Sequence, residues 1–450
     1  MKRSAPSTKA LPKAKKLRPE VPEYHLAPSL KDEDGNIIWP APKSQIDNAR
    51  RFIQECAKSN KPTLIVPDKD ADGLTSGAIL RTTLRLLGLP EELIEIHLLS
   101  KGTTVHDESE RTAMAAHSPA YIFILDHGSR QSPPAIDPPH KCLVIDHHHI
   151  PDSSSFPKGA EFVNACNCPP VPTTSLLTYL ICETLHPDVP YLCDWLAVIG
   201  TYGDLSSTIK WSPPFPDMSG TLKKYTKKAL NDCVSLLNGP RRTNLYDTIT
   251  AWTALLAAAD QNKILGNKRL IQARQDIHVE VERCTHVAPK FSRDATIAVL
   301  RIRSAFQVHP VIATRWAGTL SSKKLQVVLV ANEGYILGKV NFSCRIPRCA
   351  RARAAEEGGE EVNIINVLKE AAGRGGDLLE RMGDSFARGH KEASGGIVGA
   401  EEFEELMGVL GVGEKPDGPG SKSDSPKKAK AAGQKNTLMN YFGAKTGGGI

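Results

Sequence analysis

The spacing of apolar positions along the chain changes period several times. Residues 1–20 hold almost no bulky apolar side chain, and the pattern begins near residue 40. The segment 48–59 has the period of an amphipathic helix, 63–66 is a short β-branched run suited to a buried strand, and 76–87 is helical again. Short apolar runs follow at 95–99, 121–125 and 141–145, and the segments 174–185 and 191–199 read as helices. Strands alternating with helices predict a parallel sheet with crossover helices. Residues 247–285 read as one or two helices, with 251–259 a strong helix former, and suit a connector between two lobes. Beyond them, strand-like runs at 295–302, 325–331 and 335–342, a Gly- and charge-rich insertion at 348–361, a helix at 363–372 and a glycine cluster at 389–399 predict a smaller second α/β lobe. No internal repeat is evident.

Composition refines this picture at the two ends. The chain has 450 residues and a net charge of +7. Residues 1–20 carry +6 and residues 415–450 carry +5, which leaves −4 for the body. Basicity therefore belongs to the tails and says little about the folded part. Both tails lack the apolar groups needed to offset ordering entropy and are expected to be disordered. No apolar run reaches the ~18 residues of a membrane span, and none follows the basic N-terminus as a secretory signal would require. A soluble, intracellular chain is expected, with no membrane partner. The 10 cysteines include no CxxC pair; the closest, Cys166/Cys168 and Cys344/Cys349, have no partner cluster at zinc-site distance, so reduced and mostly buried thiols are expected.

Candidate chemistry lies where strands end. Directly after the run 63–66 stands Asp68-Lys69-Asp70-Ala71-Asp72-Gly73. Three carboxylates two residues apart repel one another unless a cation neutralises them, and strand ends are where open α/β sheets bind ligands. An acidic turn or a calcium loop would be the alternatives, but a calcium loop needs a Glu at its twelfth position, which is missing. Asp126-His127-Gly128 follows the run 121–125, and on its own is a turn cap. Asp146-His147-His148-His149 follows the run 141–145: one imidazole can ligate a metal, its neighbour can face a phosphate, and the Asp can orient an imidazole. Gly200-Thr201-Tyr202-Gly203-Asp204 reads as a helix stop and loop after 191–199. Carboxylates with one or two imidazoles suit Mn²⁺ or Mg²⁺, and several Asp groups meeting at one point imply two ions.

In order and spacing, Asp68–Gly73, Asp126, Asp146-His147-His148 and Asp204 resemble the four motifs of the DHH phosphoesterase superfamily, most closely its RecJ-like branch. Thr75-Ser76 stand one residue later than that branch's Thr-Ser pair. The segment 162–164 leading to Thr174-Ser175, and Asn238-Gly239-Pro240-Arg241-Arg242, are also similar to family stretches. The resemblance covers roughly residues 45–410. It implies a DHH catalytic domain at 41–246, a helical connector at 247–290 and a DHH-associated domain at 291–411, between tails at 1–40 and 412–450. It further implies that Asp68, Asp70, Asp72, Asp126, His147 and Asp204 hold two Mn²⁺ or Mg²⁺ ions, with Asp146 and His148 in catalysis. The associated domain should bring a glycine-rich loop with a histidine. Here Arg388-Gly389-His390 and Gly395-Gly396 match it, although Ala387 and Arg388 replace its first two glycines. His309-Pro310 and Ser343-Cys344-Arg345 look like its substrate-facing strands. Arg241, Arg345, Gly389, His390, Gly395 and Gly396 are thus the expected substrate-binding residues, and Arg348, Arg351 and Arg353 form a further cluster that either tracks a nucleic-acid backbone or is a solvated loop.

The expected activity is metal-dependent cleavage of phosphodiester bonds, as an exonuclease on single-stranded nucleic acid, DNA before RNA. Alternatives are a nano-RNase or cyclic-dinucleotide phosphodiesterase, and a non-catalytic replication scaffold. Lys15-Lys16-Leu17-Arg18 resembles a nuclear localisation signal, so a nuclear protein is expected. Near the other end, Leu438, Tyr441 and Phe442 have the spacing of a peptide that docks on the replication sliding clamp, with Lys435 where Gln is usual.

Overall fold

The computed structural model of the protein describes residues 27–357, 362–383 and 385–414. Lys15, Lys16 and Arg18 at one end and Leu438, Tyr441 and Phe442 at the other lie outside the described residues.

The first lobe runs α1 (Lys43–Ser59), β1 (Thr63–Pro67), α2 (Ala71–Leu86), β2 (Ile94–Ile96), α3 (Glu108–Ala116), β3 (Tyr121–Leu125), β4 (Lys141–Asp146), β5 (Glu161–Asn164), α4 (Thr174–Cys182), α5 (Val189–Leu205), α6 (Ser219–Tyr225) and α7 (Lys227–Leu237). Its five strands are all parallel, in the order β2-β1-β3-β4-β5. Every residue of β1 and β3 is buried, because both faces of the sheet are covered. Alternate side chains serve opposite layers. Ile65, Phe123 and Ile145 face the layer of α1, α2, α4 and α5. Leu64, Ile122 and Val144 face a smaller layer built on Met114, Ile136 and Phe156.

Three helices follow, α8 (Thr248–Leu256), α9 (Gln261–Leu265) and α10 (Lys268–Cys284), where the periodicity predicted one or two. Each starts at a capping side chain, Asp247, Asp260 and Asn267, which accepts backbone N–H groups of the first turn. These caps divide the segment 247–285 into three helices.

The second lobe contains β6 (Lys290–Phe291), β7 (Ile297–Ile302), α11 (His309–Thr319), β8 (Val327–Ile336), β9 (Lys339–Arg345), α12 (Arg348–Glu357), α13 (Ile364–Gly373), α14 (Leu378–Arg381), β10 (Arg388–His390), β11 (Ala393–Gly399) and α15 (Ala400–Val409). Its six strands form one mixed sheet, β10-β11-β9-β8-β7-β6, in which only β7 and β8 pair in parallel.

Several expectations change. The run 335–342 is not one strand: it turns at Leu337-Gly338, with Gly338 at φ 72°, to join β8 and β9 as a hairpin. The glycine cluster is strand, not loop. His309-Pro310 opens helix α11 rather than a strand, with Pro310 in the first turn, where its missing N–H costs nothing. The insertion is helical over Arg348–Glu357. Not all of the segment before residue 41 is tail: Trp39 packs edge-on to Phe215 at 5.3 Å, and its indole N–H donates to Pro170 O at 2.9 Å. A lone aromatic beside a proline leaves no periodic trace. All ten cysteines are free. Among the described residues no helix is long and apolar enough to cross a membrane.

Candidate metal centre

Four chain segments deliver carboxylates and imidazoles to one place beyond the C-terminal ends of β1, β3 and β4. Asp68 follows β1, and its N–H continues the ladder to Leu125 O at 2.9 Å. Asp70 caps α2, its Oδ1 accepting the N–H groups of Asp72 (3.1 Å) and Gly73 (3.3 Å). Helix α2 therefore starts at Ala71, five residues before the apolar period appears, and it places Asp72 in its first turn. Asp126 follows β3 with φ 67°, a left-handed backbone uncommon for any residue but glycine.

Asp204 lies inside α5, which continues through Gly200-Thr201-Tyr202-Gly203 instead of stopping there. Those glycines mark close packing, not a helix end. A Cβ on Gly200 would overlap the side chain of Ser175 and come within 2.5 Å of Thr75 Oγ1. The bare backbone lets α5 lie against α4 and α2, and that approach carries Asp204 to the cluster.

Three overlapping sets of groups have their ligand atoms within 4.8 Å of one another: Asp68, Asp70 and Asp126; Asp72, His147 and Asp204; and Asp126, His147 and His148. The hinge of the arrangement is His147, which is buried. Its Nε2 stands 3.4 Å from Asp126 Oδ1, 3.3 Å from Asp204 Oδ2 and 4.0 Å from Asp72 Oδ2. Yet this nitrogen makes no hydrogen bond. A buried imidazole nitrogen ringed by three carboxylates, in hydrogen-bond geometry with none, fits a position where one cation satisfies all four.

The charges respond accordingly. Burial raises Asp126 well above the usual carboxylate range, and the charges of Asp72 and Asp70 add to it. Burial and the Asp68 charge lift Asp70 to about 6. Burial and Asp204 also raise Asp72. Asp68 goes the other way: burial opposes its ionisation, but Lys69, His127 and Arg241 outweigh it and hold it at about 2. Burial would depress His147, but Asp204, Asp72 and Asp146 raise it to about 9. Crowded carboxylates that resist ionisation together are what a divalent ion relieves.

Around the cluster stand residues whose part the motifs did not reveal. The N-terminus of α4 aims at Asp72: the N–H groups of Thr174 (2.8 Å) and Ser175 (2.9 Å) each donate to one of its oxygens. Thr174 Oγ1 donates to Asp126 Oδ1 at 2.9 Å. The pair Thr174-Ser175 was visible after the prolines, but nothing in its spacing says what it touches. Asp146, fully buried, accepts from the N–H groups of His147 (2.7 Å), His148 (3.2 Å) and Ser129 (3.3 Å), and from His148 Nδ1 at 2.8 Å. These bonds and the nearby imidazoles overcome burial and hold its carboxyl far below the usual range. Asp146 thus orients His148, whose own pKa rises to about 9, burial notwithstanding, through Asp146. Asn164 at the end of β5 ties the loop down, its amide donating to Ser129 Oγ and His148 O, both at 3.0 Å. His127 joins none of the three sets; its Nε2–H donates to Val66 O at 2.8 Å.

The second lobe meets the first beside the cluster, at the arginines that follow α7. Arg241 lies 3.6 Å from Asp70 Oδ2 and donates to Asn238 Oδ1 (3.2 Å) and, across the lobes, to Gln307 Oε1 (3.4 Å). Gln307 N–H in turn donates to Arg242 O at 2.8 Å. Arg242, His309 and Arg345 gather nearby: burial and the neighbouring Arg241 and Arg345 outweigh the pull of Asp70 and lower Arg242 to about 9, and burial with Arg242 and Arg345 lowers His309 to about 3. The Nε of Arg242 and Nδ1 of His309 are buried without a partner. Arg345 donates to Ser343 Oγ (2.9 Å) and Cys344 O (2.7 Å).

The other basic side chains are partly committed: Arg353 caps Ser322 O and Leu325 O, and Arg351 lies 3.8 Å from Glu392. The glycines have reasons inside the protein. A Cβ on Gly389 would come within 2.6 Å of Ala393 O, on Gly395 within 2.5 Å of Phe342 O, and on Gly396 within 2.6 Å of Ser385 O. His390 ends β10, in register with Ala393.

Residues 62–199 match the family described as DHH family, N-terminal domain. No curated protein matches the chain. Among solved structures it is similar to RecJ from Thermus thermophilus in complex with Mn²⁺, at 18% identity and a TM-score of 0.55 over 83% of this chain and 55% of that one. The chain thus spans little more than half the length of that relative. It is also similar to an exonuclease RecJ bound to manganese, at 18% identity and a TM-score of 0.54 over 83% of this chain and 95% of that one. A third similar structure is the DHH domain of a member of a ribosomal-protein family, at 16% identity and a TM-score of 0.57 over 82% of this chain and 91% of that one. Residues 62–199 thus match a DHH-family N-terminal domain, and the architecture around them has a RecJ-like fold.

Proposed function

We propose that this protein is a two-metal phosphodiesterase that removes nucleotides from the ends of single-stranded nucleic acid, DNA in preference to RNA. The observation that carries this is the unbonded Nε2 of His147 inside a ring of Asp72, Asp126 and Asp204, beside the second set of Asp68, Asp70 and Asp126. Asp126, which belongs to two sets, has two carboxylate oxygens and would serve both ion sites, whereas His147, with one lone pair on Nε2, would hold one ion. Bound Mn²⁺ or Mg²⁺ would supply an activated hydroxide and neutralise charge on the phosphate oxygens.

The chain's own groups do the rest. Asp146 holds Nδ1 of His148, which leaves Nε2 to face the substrate. Asp146 raises the pKa of that imidazole in the metal-free protein, which favours its role as a donor to a phosphate oxygen. The cations of Arg241, Arg242 and Arg345 line the route between the lobes and draw in the strand's backbone. Gly389 and His390 on edge strand β10, with Gly395 and Gly396 behind them on β11, complete the grip. The division into a catalytic domain at 41–246, a connector at 247–290 and a substrate-binding domain at 291–411 belongs to the same reading. So do nuclear import through Lys15, Lys16 and Arg18 and recruitment by the sliding clamp through Leu438, Tyr441 and Phe442.

The test is digestion of end-labelled DNA and RNA strands, from dinucleotides to a few tens of nucleotides, with Mn²⁺. Stepwise loss of nucleotides from long single strands is expected. Turnover of dinucleotides alone would replace the reading with a small-substrate phosphodiesterase, and no turnover with a non-catalytic role.

A further inference from the structure

One cavity of the described surface lies away from the metal centre. It is a groove of about 470 Å³ on the flank of the first lobe, and it continues through Ile96 into a second hollow of about 210 Å³. One wall is β2, the edge strand of the five-stranded sheet. Ile94 and Ile96 on it, and Leu98 just past its end, lie two residues apart and are only partly buried. The opposite wall is α8 and the residues before it. Ile249, Trp252 and Leu256 share one face of the helix at i, i+3 and i+7, with Leu245 just ahead of them. Trp252 forms the floor, whereas Leu245 is 79% exposed, Ile249 55% and Leu256 37%. Large aliphatic side chains this open, aligned on one helix face opposite a strand edge, form a connected apolar surface of the kind that marks a binding site.

The backbone of β2 is open on the same side. It pairs only with β1, to which His97 N–H donates at 3.0 Å via Ile65 O. By the alternation of a strand, the N–H and C=O of Ile96 point to the free edge. An edge strand facing a helix across an apolar groove is the geometry that takes an extended peptide as an added strand.

We propose that this groove holds the chain's own C-terminal segment 435–445, with Leu438, Tyr441 and Phe442 as its apolar anchors. Two features select that occupant. The first is charge. Glu91, Glu95 and Asp247 line the groove, Arg81 and Arg85 pair with Glu91 and His117 pairs with Glu95, which leaves an acidic excess of one with His117 neutral, and the segment carries Lys435 and Lys445 on either side of its apolar residues and no acidic one. The second is reach. Leu438 lies 24 residues beyond Glu414, the last described residue, a span of up to about 80 Å at ~3.3 Å per residue. A compact chain of this length has a radius of gyration of about 22 Å, and the extended tether is more than three times that. A tether of that kind supplies an effective concentration of the order of 1 mM, so an intrinsic Kd near 100 μM fills the groove about nine-tenths of the time. The same three side chains are the ones proposed to dock on the sliding clamp, so the groove would hold them until a clamp competes for them. The proposal does not depend on the metal reading.

The test uses the full chain with Leu438, Tyr441 and Phe442 replaced by alanine, which vacates the groove, and a fluorescent peptide of sequence 435–445 added in trans. Saturable binding is expected. It should weaken at least tenfold when Ile249→Asp is added, and independently when Leu245→Asp is added; both sites are exposed, so neither substitution disturbs the core. In the unmodified chain the amide of Ile96 should exchange more slowly than in the triple-alanine variant. Peptide binding that is absent, or unchanged by both groove substitutions, overturns the proposal. So does a dimer that persists in the triple-alanine variant and dissociates with Ile249→Asp, which would assign the groove to a second copy of the chain.

Discussion

Replacing Asp146 with asparagine tests how the two histidines are held. Asp146 accepts four N–H groups: His147 N, His148 N and His148 Nδ1 on Oδ1, and Ser129 N on Oδ2. Asparagine keeps the shape and one acceptor oxygen, but turns an NH₂ against the N–H of Ser129 and removes the charge facing His148. One buried donor left unsatisfied costs about 1–3 kcal/mol, and a charge-assisted bond made neutral costs a further ~1 kcal/mol. We expect a loss of about 2–4 kcal/mol in metal-free protein.

The pH dependence has two limbs. Asp146 is depressed in the folded state, so its contribution is present above the unfolded value of about 3.9 and is lost as pH falls below it. His148 is raised, so its contribution is full below about 6.5 and fades as pH rises toward 9. The difference between wild type and Asp146→Asn should therefore be greatest between roughly pH 4 and 6.5. The assay is urea unfolding with chelator, followed by the fluorescence of Trp39, Trp195 and Trp211 in the first lobe. With metal restored, activity should fall ten- to a hundredfold, the usual effect of losing a group that orients a metal-site side chain. A variant no less stable than one with the exposed Asp152→Asn, or with wild-type activity, would refute the reasoning.

Binding of Mn²⁺ should release protons, because His147 is raised to about 9 and Asp70 to about 6 and both must be unprotonated to ligate. Apparent affinity should then climb between about pH 6 and 9, and calorimetry in buffers of different ionisation heat would count the protons. Gly200→Ala should destabilise the first lobe by at least ~1–3 kcal/mol through overlap with Ser175, read as a lower unfolding midpoint. It should also lower activity by displacing Asp204. Arg345→Ala should raise KM for long strands and flatten the dependence of binding on salt. It should not reduce stability, because it relieves the repulsion between Arg242 and Arg345.

Most of the first lobe was legible because its strands are buried on both faces and read as unbroken apolar runs. The run 121–125 became β3 residue for residue, and 63–66 and 141–145 each gained a single residue. The ends of helices were not legible. Periodicity misses a polar first turn, so α2 began five residues early, at the cap Asp70. It also reads glycines as a stop, although Gly200 and Gly203 are where α5 presses on its neighbours. The ligand residues stood out because carboxylates and histidines are rare after buried strands. What holds them did not: the backbone N–H groups of Thr174 and Ser175 have no sequence signature, and Asn164, Ser129 and Gln307 are ordinary polar residues until the fold brings them within 3–3.5 Å of their partners. At the glycines of β10 and β11 the structure adds a reason that the spacing did not show, since a Cβ there would meet carbonyl oxygens of the lobe itself.

The central claim is that the Asp and His cluster holds two divalent ions, and titration of Mn²⁺ into the chelator-stripped chain tests it most directly. The comparison should be Asp126→Asn, because asparagine tolerates the left-handed backbone at φ 67° where alanine would add a strain of about 1–2 kcal/mol. The wild-type chain should bind two ions. The variant, which loses the carboxylate shared between two sets, should bind at most one at the same concentrations while unfolding cooperatively near the wild-type midpoint. A wild-type chain that takes up no ion, or a variant that binds two as tightly as the wild type, would contradict the account.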